Sequence, residues 1–163
     1  MTNVLREILV FEVGGQRYGL PVADVQELVR MVSLTPLAGA PAMVEGVINL
    51  RGQITPVLDI RARFHLPAKT VEPGDHLVVA RLGDRRLALR VDRALELLRL
   101  GPADIANAEG VLPGVDYVAQ VAKLPDGLAL IHDLRTFLSA EESGALRRAL
   151  AQVRPAAEEG QRP

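Results

Sequence analysis

Three histidines, His65, His76 and His132, are the side chains best suited to hold a metal ion or move a proton near neutral pH, and they stand far apart in the chain. Zinc sites set their ligands at short spacings, as in H-E-x-x-H, or complete them with cysteine thiolates; this chain has neither the motif nor any cysteine. Metal ligation is not expected, and the three read as surface or half-buried residues. The lack of cysteine also removes thiol nucleophiles and disulfides, and it suits a reducing compartment. Ser33, Ser139 and Ser143 lie in no G-x-S-x-G elbow, and neither G-x-G-x-x-G nor G-x-x-x-x-G-K-[ST] is present to cradle a phosphate. Asp59 and Asp133 could pair as acid and base. Each, however, precedes a short amphipathic stretch, Ile60 to Phe64 or Leu134 to Leu138, where a carboxylate caps the start of a helix. No catalysis and no cofactor are expected.

What remains is an arginine. In Gly46-Val47-Ile48-Asn49-Leu50-Arg51-Gly52, Arg51 stands at a turn between two apolar runs, Val47 to Leu50 and Ile54 to Leu58. A guanidinium held on a turn is well shaped to grip carboxylates and carbonyls of a partner, and it is equally an ordinary exposed charge; the residues alone leave both readings open. The pairs Arg85-Arg86 and Arg147-Arg148 read as solvated charge in a hairpin and on a helix face.

The elements that must position these residues are short strands. Leu9 to Val13 and Arg17 to Val22 flank Gly14-Gly15, which accepts the positive φ of a tight hairpin. His76 to Leu82 and Arg86 to Val91 flank Gly83-Asp84, and Tyr117 to Leu124 faces Leu128 to Ile131 across Pro125-Asp126-Gly127. With the Arg51-Gly52-Gln53 hairpin this makes about eight strands. The hairpins resemble one another because the chain repeats. At an offset of 69, Leu9 to Met31 lies over Val78 to Leu100 with eight of 23 positions identical, among them Gly14/Gly83, Arg17/Arg86 and Glu27/Glu96. A second echo sets Asp59-Ile60-Arg61 over Asp133-Leu134-Arg135 at offset 74. Two β-units this small favour barrels, whose closure removes exposed edges. A C-terminal helix follows over Ser139 to Val153, with Ser139 and Glu142 spaced as a capping box; 154–163 is polar and reads as a disordered tail.

A net charge of −1 gives no field to steer nucleic acid, and five scattered aromatics offer no stacking platform. The longest uncharged run, Met31 to Val44, spans 14 positions and contains two prolines, so direct membrane insertion is not expected. The N-terminus has charges within its apolar stretch and no small-residue cleavage pattern, which predicts a cytoplasmic protein.

The segment Gly46 to Arg61, GVINLRGQITPVLDIR, resembles the signature of CheW-type chemotaxis coupling proteins, and Tyr18-Gly19-Leu20 with Val25-Gln26-Glu27 resembles their first hairpin and the turn after it. The likeness runs, more weakly, from Leu9 to Ser139. It implies a mostly β fold of two small intertwined five-stranded SH3-like barrels with short helices, here a single domain over residues 1–153. It also implies a non-catalytic adaptor that joins the cytoplasmic tip of methyl-accepting chemoreceptors to the regulatory domain of a CheA-type histidine kinase, recruited to membrane receptor arrays through those partners. Carried over by position, the partner-binding residues are Val25, Glu27, Gly46, Asn49, Leu50, Arg51 and Gly52, with a backbone role for Gly46 and Gly52 left open. Gln120 stands where many members have glycine, and His132 where an apolar residue is common. Two other readings remain: an adaptor of the same fold serving surface sensing, pilus motility or a cyclic-dinucleotide output, and a small β-barrel enzyme or ligand-binding protein.

Overall fold

The structure, a computed structural model, describes residues 6–107 and 118–153; Tyr117 and the tail 154–163 lie outside the described residues. The first unit supplies β1 (Arg6–Val13), β2 (Gln16–Pro21), β3 (Val25–Arg30), β4 (Val44–Leu50) and β5 (Gln53–Asp59). The second supplies β6 (His76–Leu82), β7 (Arg85–Val91), β8 (Arg93–Leu100), β9 (Ile105–Asn107), β10 (Val118–Leu124) and β11 (Gly127–His132). Two helices, α1 (Ile60–Arg63) and α2 (Ala140–Ala151), and three 3-10 turns complete the described chain.

The units exchange strands. One sheet has the order β8-β1-β2-β11-β10-β9 and the other β3-β6-β7-β5-β4. The first hairpin of each unit therefore sits in one sheet, while its third strand crosses to the hairpin of the other unit. This is the intertwining that the family likeness implies, and the repeat is kept to the level of irregularities. The bulge between Val44 and Gly46 recurs between Val118 and Gln120, and the parallel pair Val57↔Ala88 recurs as Ile131↔Gly19. The sixth strand of the larger sheet, β9, answers to a single bridge, Thr35↔Val47, in the smaller one.

Exchange explains why the hairpin strands are apolar on both faces. Along β1, Ile8 and Val10 point into a core of their own sheet with Leu100, Ala122 and Ile131, while Leu9 and Phe11 join the core shared between the sheets. Along β6, Leu77 and Val79 face one core and Val78 and Ala80 the other. Burying a side chain of this size contributes about 1.5 to 3 kcal/mol, so the two hairpins anchor the fold. The crossing strands β3 and β8, and the short β9, are not evident as strands in the sequence. RALELLRL in β8 consists of good helix formers, and only its pairing with β1 makes it extended.

Asp59 and Asp133 cap as expected, accepting the N–H of Arg61 at 3.0 Å and of Arg135 at 3.1 Å. Ser139 and Glu142 form the reciprocal capping box at the start of α2. That helix presses Leu146 onto the shared core, buries Ala149 and is tied to α1 by Arg63 and Glu142 at 2.8 Å.

Candidate functional site

Arg51 and Gly52 form the two-residue turn between β4 and β5, and both adopt positive φ, 53° and 85°. The turn is fixed from beneath. The Asn49 carboxamide oxygen accepts the Gly52 N–H three residues on at 2.7 Å, and the Leu50 carbonyl accepts from the Arg86 guanidinium at 3.3 Å. A left-handed arginine costs backbone strain, which these bonds hold in place. They set the Arg51 side chain out from the tip, 68% exposed.

The tip leans on the edge strand β3. Both terminal nitrogens of Arg51 donate to the Glu27 carboxylate, the second at 2.6 Å. The hydrogen bond from Arg51 holds the Glu27 carboxyl below the usual carboxylate range, and the same bond raises the guanidinium. The pair is open to solvent, so it orients the two side chains more than it stabilises the fold. Its fork leaves the other N–H groups of Arg51 free for a second acceptor.

The structure thus brings together Glu27, Asn49, Leu50, Arg51 and Gly52. Val25 lies at the start of β3, half-buried, on the far side of a bulge from Glu27. Gly46 is not on this patch. It is buried, with φ 156°, and a Cβ there would lie 2.6 Å from the Thr35 carbonyl oxygen, so its role is that of backbone. Gly52 is likewise accounted for by its φ and its bonded N–H. Reading the sequence passes over Arg86, which is half-buried against the tip rather than solvated charge, and Arg85, which reaches Ser143 on α2 at 3.3 Å. The signal is the pair Arg17/Arg86 in the repeat. Arg17 grips the opposite hairpin through the carboxylate and carbonyl of Asp126 at 3.0 and 3.1 Å.

The histidines do not assemble. His65 is exposed and His76 half-buried, as expected, but His132 is fully buried, ringed by Phe11, Tyr18, Phe64 and Phe137 at centroid distances of 4.8 to 5.6 Å. Burial pushes its pKa down to about 3, so the imidazole is neutral. Among the described residues no cluster of His, Asp or Glu is arranged to hold a metal ion, and no helix is long and apolar enough to cross a membrane.

Residues 7–142 match the CheW-like domain family. The chain belongs to that family. It is 28% identical over 142 residues to the chemotaxis protein CheW of Treponema pallidum, covering 83% of this chain and 84% of the relative. Against the chemotaxis protein CheW of Bacillus subtilis it is 30% identical over 139 residues, 84% of this chain and 89% of the relative. The crystal structure of the scaffolding protein TtCheW from Thermoanaerobacter tengcongensis superposes with a TM-score of 0.76 at 28% identity, covering 85% of this chain and 96% of that one. As a CheW-like protein the chain is a chemotaxis adaptor, a scaffold and not an enzyme.

Proposed function

We propose that this CheW-like chain couples the cytoplasmic tip of methyl-accepting chemoreceptors to the regulatory domain of a CheA-type histidine kinase. Residues 1–153 work as one domain of two barrel subdomains, and the docking surface is Val25, Glu27, Asn49, Leu50, Arg51 and Gly52, with Gly46 shaping β4 behind it. The protein acts in the cytoplasm and reaches membrane receptor arrays through these partners. The observation that carries the reading is the exposed Arg51 fork. A strained turn, the Asn49 bond, the Arg86 prop and the Glu27 pair all serve to hold one guanidinium out from the surface, while contributing little to the core. Such preorganisation suits a binding anchor, since the side chain loses little freedom when a partner arrives.

Arg51→Ala is expected to weaken assembly with a receptor cytoplasmic fragment and the kinase regulatory domain by roughly tenfold or more, the scale of an interface hot spot, and to leave the melting temperature unchanged. Arg148→Ala, on the exposed face of α2, serves as the surface control and should alter neither. Calorimetric titration and thermal melts of the three proteins side by side decide it. Full binding of both partners by the Arg51 variant, or binding lost together with the fold, removes Arg51 from the docking surface.

A further inference from the structure

Each barrel meets the other sheet along a crevice, and the repeat makes the two crevices equivalent position by position. In the first, residues 64–74 run across the opening as a covering strap. Arg61 donates to the Pro67 carbonyl at 3.0 Å, Arg90 donates to the Lys69 carbonyl at 3.0 Å, and Asp75 accepts Lys69 Nζ at 2.9 Å. The offsets of 74 and 69 turn these three grips into Arg135, Pro21 and Arg6, all of which line the second crevice. There no described segment takes the place of the strap, since the chain leaving Arg135 turns into Phe137 and α2 on the shared core. Among the described residues the second crevice is an open cleft of about 510 Å³.

The matched arginines show what is missing. Arg61 is 10% exposed beneath its strap, whereas Arg135 is 79% exposed and among the described residues bonds only to Asp133, two residues away in its own turn. Gln120, at the position of Gly46, carries a side chain whose carboxamide oxygen accepts Arg6 Nη1 at 2.6 Å. That bond spans β10 and β1, strands that are not neighbours in the sheet, and it holds the Arg6 guanidinium at the cleft rim with a neutral partner in place of a carboxylate. Asp24 and Asp133 also line the cleft, and Asp24 has no partner among the described residues, so a single acidic group fits beside Arg6 better than an acidic run.

We propose that this cleft binds an extended segment of a partner protein, with Arg135 donating to a main-chain carbonyl as Arg61 does to Pro67, and Arg6 taking an acidic side chain where Asp75 takes Lys69. The occupant is extended because helix carbonyls outside the last turn already accept an internal bond and point along the axis, whereas those of an extended segment are open to Arg135. The inference rests on the adaptor reading for its partners, and it concerns a surface separate from the Arg51 tip.

The test uses the full chain with p-benzoylphenylalanine in place of Arg135 or, separately, Arg51. Each is irradiated with a receptor cytoplasmic fragment and with the kinase regulatory domain from the same genome, and the cross-linked peptides are mapped. The Arg135 probe should capture a loop or strand segment of one partner, and Arg135→Ala should weaken that partner by roughly tenfold, with Arg135→Lys restoring part of the loss. Capture of a helix face, capture of a second copy of this chain, or no capture at Arg135 while the Arg51 probe cross-links would each overturn the proposal. If neither probe captures either partner, the adaptor reading fails and the cleft's assignment falls with it.

Discussion

The two crevices share a backbone plan and differ in how their charges are satisfied. In the strapped crevice Arg90 is held between Glu45, at 2.8 and 2.6 Å, and Asp75 at 3.0 Å, with both members of the Arg90–Asp75 pair almost fully buried. Arg61 Nη2 donates to both carboxylate oxygens of Asp92, whose other contacts are Lys69 and the Gly14 N–H of the opposite sheet. Burial opposes ionisation of Asp75 and Asp92, but the hydrogen bonds from Lys69, Arg90, Arg61 and backbone N–H groups outweigh it and hold both carboxyls low. In the open cleft the equivalent positions carry Arg6, Pro21 and Arg135, and among the described residues none of them is matched to a carboxylate from another element. One half therefore uses its ions to fix the crossing between sheets, and the other leaves its ions available. A duplicated fold can separate a structural role from a binding role in this way, by changing a handful of side chains on an unchanged frame.

Arg90→Ala should break the comparison most severely. It leaves Asp75 and Glu45 without their guanidinium in a site too buried for water to replace it, and the loss expected for half of a buried pair is about 3 to 5 kcal/mol. Arg135→Ala, at the exposed position of the open cleft, should stay within about 0.5 kcal/mol of the parent. Urea denaturation of both variants measures the contrast, and similar losses in the two would mean that the strapped crevice is not the structural one.

His132 offers a second asymmetry, because its equivalent in the first unit is Leu58, also fully buried. Among the described residues neither ring nitrogen has a hydrogen-bond partner and Tyr18 is the one other titratable group stacked against the ring, while Phe11, Phe64 and Phe137 carry no charge. The folded pKa lies at about 3 and the unfolded value at about 6.5, so the unfolded state binds the extra proton between them. Stability from this group is complete above about pH 6.5 and falls as the pH drops, by about 2 kcal/mol at pH 5. His132→Leu should remove that part of the slope between pH 7 and pH 5 while keeping the fold. An identical pH dependence in the two proteins would show that His132 is not buried as a neutral ring.

Much of this fold is legible in the sequence because its hairpins carry their own signals. Gly14-Gly15 and Gly83-Asp84 mark turns, and apolar strands between them need a core on each face. The crossing strands are not legible, since β3 and β8 become strands only by pairing with a hairpin some 50 to 90 residues away, and Val25-Gln26-Glu27 reads as a turn. At the candidate site the turn and Arg51 are visible, but the partnership of Arg51 with Glu27, 24 residues earlier, depends on that crossing. The open cleft is further still from view: the echo Asp59-Ile60-Arg61 against Asp133-Leu134-Arg135 announces equivalent arginines, and only the strap over one of them tells them apart.

The smallest predicted effect tests where the halves should agree. Asp59 and Asp133 each accept the N–H two residues on, each opens a single short turn, and each is partly buried at the end of the strand that pairs in parallel with the other unit's hairpin. Replacing an N-cap aspartate with alanine costs about 1 kcal/mol, and neither turn is long enough to add a large dipole contribution. Asp59→Ala and Asp133→Ala should therefore lose stability by similar amounts, and Asp59→Asn and Asp133→Asn, which keep the accepting oxygen, should recover most of it. The asparagine variants separate capping from charge, because Asp59 stands near Arg90 and Asp133 also holds Arg135 Nε at 3.2 Å. A much larger loss for Asp59→Ala than for Asp59→Asn returns the result to the cap. A loss shared by both Asp59 variants and absent at Asp133 would instead make that carboxylate part of the ionic crevice, and the asymmetry between the halves would then extend to their caps.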